Sequence, residues 1–309
     1  MDLSIIIINY NLSKEINECI KSILKTVINL SFEIIIVDNC SKDNEKQYLT
    51  RLQKDLANKI NNIYFYYLDK NIGFGGANNF GFIKSHGESI CFLNPDTILI
   101  ENIFPKMLNI FQKNKLVSVL GPKIINSKGQ QEKSFGFFPN IFTEIFNIVH
   151  LLSNFEMLWL KKKTKEKKND FVNVDWVTGS ALVIRRDVFK EIAGFDTSFF
   201  MYSEEIDLCK RVFDNKYYIG FVPDIKIIHL KSVSSKKDYF FFTKVSYESK
   251  LVYIKKHFSG LNGKIIRTMV LIELFIQVIL WLSLYPLNRR KSIGKLKAFP
   301  NLIVSYLSK

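Results

Sequence analysis

Short apolar runs alternate with helix-periodic segments along the first 125 residues. Four of the runs predict strands buried on both faces, because they are continuously apolar and bounded by polar or turn residues. These runs are residues 4–9, 33–37, 63–68 and 89–93. The segments between them predict helices, the first of them capped by Ser13. Strands that alternate with helices predict a parallel sheet with right-handed crossover connections.

The rest of the chain is patterned differently. Residues 126–170 are rich in Phe and show no clear period, so we expect irregular structure there. A helix is predicted over residues 187–193, a second helix begins at Ser203-Glu204-Glu205, and residues 225–229 predict a strand. The last 70 or so residues are predicted to be helical and apolar.

Polar side chains stand where three of the predicted strands end. Asn9 ends the first, Asp38 follows the second, and Asp96 follows the fourth in Asn94-Pro95-Asp96. Ligands of open α/β sheets bind beyond the carboxyl ends of the strands. The three side chains are therefore expected to converge on one cleft.

Composition narrows the class of protein. The chain has 309 residues, enough for one large domain or two small ones, and its 47% hydrophobic content excludes a disordered chain. Its four cysteines are scattered without a Cys-x-x-Cys pair, which argues against a zinc site or a disulfide framework and suits a reducing cytoplasm. The N-terminal residues have no basic region, so no signal peptide is expected.

The net charge of +15 is concentrated in two stretches. Residues 251–309 carry ten Lys or Arg against the single Glu273, and residues 161–168 carry six Lys against Glu166. We expect the shorter lysine run to be an exposed loop. Because the longer basic stretch is interleaved with apolar runs, it fits an anionic membrane surface better than a nucleic acid. A merely solvated basic surface is the remaining alternative.

The carboxylates at the strand ends have two readings each. Asp96 fits a hard divalent cation that bridges two phosphates, or it caps a helix that starts near Ile98 or Glu101. Asp38 fits a hydrogen bond to a nucleotide base or ribose, or it serves as a cap or turn residue.

Three further features carry candidate chemistry. The glycine-rich residues 71–79 allow close approach of a ligand or form a tight turn, and they lack the Gly-Lys-Ser/Thr of a P-loop. A carboxylate of Glu204 or Glu205 could take a proton from an acceptor hydroxyl, whereas Asp207 and Arg211 are spaced for an ion pair. His229 is either a metal ligand or a structural histidine.

The ordered set of motifs resembles family 2 glycosyltransferases, especially their rhamnosyltransferase-like branch, over roughly residues 3–235. The motifs are Ser4-Ile-Ile-Ile-Ile-Asn-Tyr-Asn11, Ile36-Val-Asp-Asn39, Asn71-Ile-Gly-Phe-Gly-Gly-Ala-Asn-Asn79, Phe92-Leu-Asn-Pro-Asp-Thr97, Trp176-Val-Thr-Gly-Ser180, Gly194-Phe-Asp196, Phe200-Met-Tyr-Ser-Glu-Glu-Ile-Asp-Leu-Cys209 and His229.

This resemblance implies a GT-A fold, an α/β fold with a mixed, mainly parallel sheet. It implies that Asp96 holds Mg²⁺ or Mn²⁺ on the diphosphate of a nucleotide sugar, together with His229. The general base would be Glu205 or Glu204, since Glu205 replaces the usual Asp of the motif. The donor site implied by the resemblance comprises Asn9, Asn11, Asp38, Gly73, Gly75, Asn78, Asn94, Asp96, Asp175 and Trp176.

The C-terminal extension predicts contact with a membrane. Residues 268–285 are apolar apart from four positions, and both flanks are basic. A single span needs about 20 apolar residues and lopsided flanks, so a helix or hairpin on the cytoplasmic leaflet is favoured over a span. Packing of this helix on the catalytic domain is the alternative. We therefore expect a catalytic domain at residues 1–235 and a membrane-associating helical extension at residues 236–309.

The resemblance implies an inverting, metal-dependent bacterial glycosyltransferase, and the C-terminal extension adds the expectation that it is peripheral to the cytoplasmic face of the inner membrane. The resemblance also implies that the enzyme moves rhamnose or another hexose from a dTDP- or UDP-linked donor to a surface glycan, with a glycan or a lipid-linked oligosaccharide as acceptor. The alternatives are a UDP-hexose donor and a catalytically silent scaffold for glycan assembly. Nucleic acid is not an expected partner.

Overall fold

A computed structural model of the chain describes residues 1–57, 60–148, 152–165, 170–230 and 238–307. Its strands are β1 Leu3–Asn9, β2 Phe32–Asp38, β3 Ile63–Tyr67, β4 Ser89–Leu93, β5 Thr97–Leu99, β6 Val117–Ile125, β7 Phe135–Gly136, β8 Val172–Val174, β9 Trp176–Val177, β10 Ala181–Arg185 and β11 Tyr218–His229. Its helices are α1 Ser13–Thr26, α2 Asp43–Ala57, α3 Gly73–Ile83, α4 Phe104–Lys113, α5 Ile141–Ile148, α6 Leu152–Lys165, α7 Arg186–Glu191, α8 Glu204–Asp214, α9 Tyr239–His257, α10 Gly260–Ser283 and α11 Arg289–Leu307.

The chain forms two compact units. The first contains residues 1–136, 163–197 and 205–232, and the second contains residues 137–162, 198–204 and 233–309. The predicted division into residues 1–235 and 236–309 stays a prediction.

A nine-stranded sheet of described residues organises the first unit. Its strands follow the order β3-β2-β1-β4-β10-β6-β11-β5, with β8 paired to β11. The segment β3-β2-β1-β4 is parallel, whereas β10 runs antiparallel to both β4 and β6. This is the mixed α/β sheet expected of a GT-A fold. Every residue of β1 is buried, because helices cover both faces of a central parallel strand.

The four early strands are confirmed, with ends shifted by one residue at most. The predicted helices between them are also confirmed, although Leu12 rather than Ser13 is the N-cap of α1. Helix α3 begins at Gly73, so most of the glycine-rich segment forms the first two turns of a helix rather than a loop.

Two expectations for local structure are wrong. Residues 126–170 were expected to be irregular, yet α5 and α6 lie within them, and α6 extends into the lysine run as far as Lys165. The remaining lysines of that run, at 167 and 168, lie outside the described residues. The helix that Asp96 would cap is absent from this described stretch, because residues 97–99 form β5 and α4 begins only at Phe104.

The second unit is helical, as the sequence predicts for the last 70 residues. Helices α9, α10 and α11 enclose an apolar core that includes Leu251, Ile266, Leu274, Trp281 and Phe299. Among the described residues, α10 is the one helix long and apolar enough to cross a membrane, with a mean hydropathy of 2.1 over its best window and 22% of that window buried.

Candidate functional site

A buried hydrogen-bond network joins the ends of β1 and β2. The side-chain amide of Asn9 donates to Asp38 Oδ1 at 2.7 Å, and Asp38 Oδ2 accepts from the backbone N–H of Ser41 at 3.0 Å. Both side chains are fully buried. The sequence therefore predicts correctly that Asn9 and Asp38 come together.

Asn11 shapes the loop above that network. Its backbone is left-handed, with φ at 59°, a conformation that Asn tolerates better than most residues. Its N–H donates to Ser41 Oγ at 2.9 Å, and its Oδ1 accepts from the N–H of Lys42 at 2.9 Å. Asn11 thus ties the loop after β1 to the loop after β2.

Asn39 connects the same edge of the sheet to the glycine-rich segment. Its Oδ1 accepts from the N–H of Ile72 at 3.0 Å, and its Nδ2 donates to Asn71 Oδ1 and to the carbonyl of Gly73. Asn39 is a site residue that sequence reasoning missed. Its position directly after Asp38 in the motif was the available signal.

The glycines of α3 serve close packing and a special backbone conformation. Gly73 has a φ of +77°, which favours glycine. A Cβ on Gly75 would lie 3.0 Å from the Cβ of Phe195, so this glycine lets α3 approach the Gly-Phe-Asp motif. Asn79 fixes that approach, since it accepts from the N–H of Phe195 at 2.9 Å and donates to its carbonyl at 2.8 Å. The buried Asn78 amide donates within the helix to the carbonyl of Phe74.

The side chains of Asp96 and His229 lie in direct contact. Asp96 Oδ1 lies 3.2 Å from His229 Nε2, and Glu132 Oε2 lies 3.9 Å from His229 Nδ1. The pairing of β5 with β11 creates this arrangement, because it places Thr97 opposite His229. Glu132 is a residue that sequence reasoning missed, since nothing in its local sequence marks it.

Asn94 holds the turn that presents Asp96. Its carbonyl accepts from Thr97 Oγ1 at 2.7 Å, and its N–H donates to the carbonyl of Ser180 at 3.0 Å. The backbone of Asn94 therefore anchors the Asn-Pro-Asp turn to Ser180, the residue directly before β10.

The Asp96–His229 pair fits part of a divalent cation site. Carboxylate oxygens suit Mg²⁺ and Mn²⁺, and such ions are commonly held by one or two carboxylates with substrate phosphates and water. Within the described ranges, no group of three or more His, Cys, Asp or Glu side chains could hold a metal ion. The pair alone would therefore be an incomplete donor set, and a cation held there would need further ligands from the substrate and solvent.

Glu205 has the environment of a proton acceptor. Burial raises the pKa of its carboxyl, while hydrogen bonds from nearby backbone amides and the charge of Lys133 act in the opposite direction. Its Oε2 is buried and has no hydrogen-bond partner among the described residues. A Cβ on Gly179 would lie 3.7 Å from the Cβ of Glu205, so two of the sequence motifs meet at this carboxylate.

Asp175 and Trp176 flank the same region of the first unit. Asp175 is half-buried between β8 and β9, and the ammonium of Lys133 lies 5.1 Å from the centre of the Trp176 ring. Strand β9 pairs with β7, which places Gly136 opposite Trp176. The chain from Glu132 to Gly136 therefore runs past both Trp176 and His229.

Glu204 belongs to the second compact unit and is buried. It opens α8 directly after Tyr202 and Ser203, which both have left-handed φ values, 70° and 64°. Such strain in non-glycine residues is frequently found at functional sites. In the same helix, the predicted ion pair is confirmed, since Arg211 Nε lies 2.8 Å from Asp207 Oδ2.

The sheet order and the strand-end carboxylates define a GT-A fold of the kind that binds nucleotide sugars. The model of glycosyl transferase family 2 matches residues 4–193, which is more than half of the chain. The chain therefore belongs to glycosyl transferase family 2, and the sequence-based identification of a glycosyltransferase is confirmed.

Two curated relatives illustrate the range of the family. The chain is 27% identical over 240 residues to the low-salt glycan biosynthesis hexosyltransferase Agl10 of Haloferax volcanii, with 76% of this chain and 69% of that protein covered. It is 31% identical over 87 residues to an N-acetylglucosaminyl-diphospho-decaprenol L-rhamnosyltransferase of Mycobacterium tuberculosis. That match covers only 28% of each protein.

A solved structure of similar fold is the mannosyltransferase PcManGT from Pyrobaculum calidifontis in complex with GDP-Man and Mn²⁺. It superposes with a TM-score of 0.57 at 12% identity and covers 99% of this chain and 86% of that one. At this identity the likeness shows the shared fold.

Proposed function

We propose that the chain is an inverting, metal-dependent glycosyltransferase that moves rhamnose or another hexose from a dTDP- or UDP-linked donor to a lipid-linked glycan acceptor. The observation that carries this proposal is the carboxylate of Glu205, with its raised pKa and its unpartnered buried oxygen, in the same unit as the Asp96–His229 pair. The names of the hexosyl- and rhamnosyltransferase relatives support the class of sugar.

Asp96 and His229 would hold the cation, and Glu132 would orient the His229 ring from its other nitrogen. A bound Mg²⁺ or Mn²⁺ would neutralise the charge that develops on the leaving diphosphate. The Mn²⁺ in the related mannosyltransferase complex supports a divalent cation in this role.

The donor would lie along the carboxyl edge of the parallel strands. The Asn9–Asp38–Ser41 network fixes the loops there, and Asn39 couples them to the first turn of α3. We assign Asp38 to nucleotide recognition, as the resemblance implies, with Asn11 shaping the loop beside it. Trp176 and Asp175 would line the path between donor and acceptor.

Glu205 would take the proton from the acceptor hydroxyl as its oxygen attacks the anomeric carbon from the face opposite the diphosphate. One displacement of this kind inverts the configuration at that carbon. A carboxylate whose pKa is raised is a stronger proton acceptor than an ordinary carboxylate, provided that it is ionised at working pH.

We further propose that the enzyme is peripheral to the cytoplasmic face of the inner membrane, where a lipid-linked acceptor would be available. The basic and apolar C-terminal region supports this location. The diphospho-decaprenol acceptor in the name of the mycobacterial relative supports the lipid-linked class of acceptor.

The test is a comparison of Glu205→Gln with Glu204→Gln. With a panel of nucleotide sugars and Mn²⁺, Glu205→Gln should bind the donor normally but turn over about 100-fold more slowly, as expected for the loss of a general base. If only Glu204→Gln slows turnover, the base is Glu204. If the wild-type protein neither hydrolyses nor transfers any nucleotide sugar, the proposed activity is refuted.

A further inference from the structure

One face of helix α10 is exposed and apolar over three turns. Its residues recur at the i, i+3, i+4, i+7 and i+10 spacing of a single helical face. They are Ile272, Phe275, Ile276, Ile279 and Leu282, which are between 38% and 68% exposed. At a rise of 1.5 Å per residue, this outer face of α10 is about 15 Å long. Contiguous exposed apolar surface of this kind marks an interaction site.

The opposite face of α10 is buried in the second unit. Ile266, Val270, Leu274 and Trp281 belong to the apolar core shared with α9 and α11. A helix that spans a membrane alone would offer apolar side chains on all sides to lipid. Helix α10 instead has one side committed to protein, which leaves only its outer face for another partner.

A buried ion network fixes this orientation of the helix. Glu273 accepts hydrogen bonds from Tyr247 at 2.8 Å and from the ammonium of Lys250 at 3.1 Å, both on α9. Lys250 also donates to Glu144 of α5 at 2.6 Å. Because Glu273 is held by these partners, α10 cannot turn its outer face inward without breaking the network.

Cations lie at both ends of the outer face. Lys264 is exposed on the first turns of α10, and Arg289 and Arg290 are exposed where α11 begins. An apolar strip between cations matches an anionic bilayer, with acyl chains below and acidic headgroups around it. Two copies that paired through this face would bring like charges together at its ends, which disfavours a dimer.

We propose that the outer face of α10 is the surface by which the protein binds an anionic lipid bilayer. The helix lies in the plane of the membrane and inserts these side chains to the level of the headgroup–acyl boundary, while Glu273 stays in the protein. This inference rests on the proposed peripheral location and names the surface responsible for it.

The test compares the full-length wild-type protein with the double variant Phe275→Asp/Ile279→Glu in vesicle co-sedimentation. The vesicles are phosphatidylcholine alone or mixed with phosphatidylglycerol. The wild type should bind the anionic vesicles, less strongly at high salt. The double variant should partition at least about tenfold less, since two inserted apolar side chains become charged. The matched control is Ile28→Glu, an isoleucine of the first unit that is 61% exposed, against 68% for Ile279, and its binding should equal that of the wild type.

Three results would overturn the proposal. The first is that the double variant binds anionic vesicles as well as the wild type does. The second is that the wild type does not bind anionic vesicles and instead forms a dimer that the double variant abolishes. The third is that alkaline carbonate does not release the protein from membranes, which is the behaviour of a helix that spans the bilayer. Donor binding, measured on the same samples by thermal shift, should be equal in all three proteins. If the proposed activity is wrong, donor binding will be absent in all three proteins. The vesicle measurement would still test the membrane-binding surface, because it does not depend on donor binding.

Discussion

Replacing Lys250 with methionine tests the buried ion network directly. The side chain of Lys250 is 20% exposed, and its partners Glu144 and Glu273 are 1% and 15% exposed. Burial alone would lower the pKa of Lys250, but the two carboxylates raise it above its ordinary value. The ammonium is therefore charged and compensates two buried anions, which the Lys250→Met variant would leave facing one another.

The Lys250→Met variant is expected to lose much of its free energy of unfolding. Removing one partner from a buried ion pair typically costs about 3–5 kcal/mol, because the remaining charge is uncompensated. For a protein of this size, each kcal/mol lowers Tm by roughly 2–4 °C, so a fall of roughly 10 °C is expected.

Thermal unfolding at neutral pH, followed by circular dichroism, provides the assay. Lys244→Met is the matched control on the same helix, because Lys244 pairs with Glu248 at 3.8 Å with both side chains about 40% exposed or more. That exposed pair should contribute less than about 1 kcal/mol. Adding Glu144→Gln to Lys250→Met should recover part of the loss. If Lys250→Met unfolds with the same Tm as the control variant, the network does not stabilise the helical unit.

Three other predictions concern the first unit. Asp96→Asn should abolish Mn²⁺-dependent donor binding, as measured by calorimetry. The control is Asp224→Asn, at an exposed ion pair, which should leave that binding unchanged. Normal binding by Asp96→Asn would remove Asp96 from the cation site. Because the pKa of Glu205 is raised and the base must be ionised, kcat should fall on acidification at a higher pH than for an ordinary carboxyl, and Glu205→Gln should flatten that limb. Cys40, half-exposed, should react with a thiol reagent in the native protein, whereas rapid reaction of further thiols would contradict the fold. Burial raises the pKa of the other three thiols, Cys19, Cys91 and Cys209.

Local sequence determines much of this fold. The strands β1, β2 and β4 are predictable because a continuous apolar run bounded by polar residues has few alternatives. The meeting of Asn9 with Asp38 follows from adjacent parallel strands that end at the same edge. Helices α5 and α6 were missed although their aromatic residues recur at the four-residue spacing of a helical face, Phe142 with Phe146 and Phe155 with Trp159. The signal was present in the sequence and was overlooked.

Contacts between distant residues were harder to predict. Whether Asp96 caps a helix depends on β5, and β5 exists because it pairs with β11, about 130 residues later. Glu132 lies near His229 because of a second long-range pairing, in which β6 and β11 run parallel and Ile125 lies opposite Ile228. Only motif resemblance joined Asp96 to His229, and it gave no signal for Glu132.

The pairing of β5 with β11 has a consequence for how this enzyme could be altered. Thr97 lies opposite His229, and the N–H of Leu230 donates to the carbonyl of Asp96 at 2.9 Å, so main-chain bonds align the two side chains. A slip of one residue in this register would turn His229 to the other side of the sheet. Substitutions that preserve the backbone pairing can therefore accumulate around Asp96 and His229 without moving these two side chains. The surrounding loops can then change in ways that alter the enzyme's specificity for sugars. Insertions or deletions within either strand, by contrast, should be fatal to the site, even where every side chain of the motifs is retained.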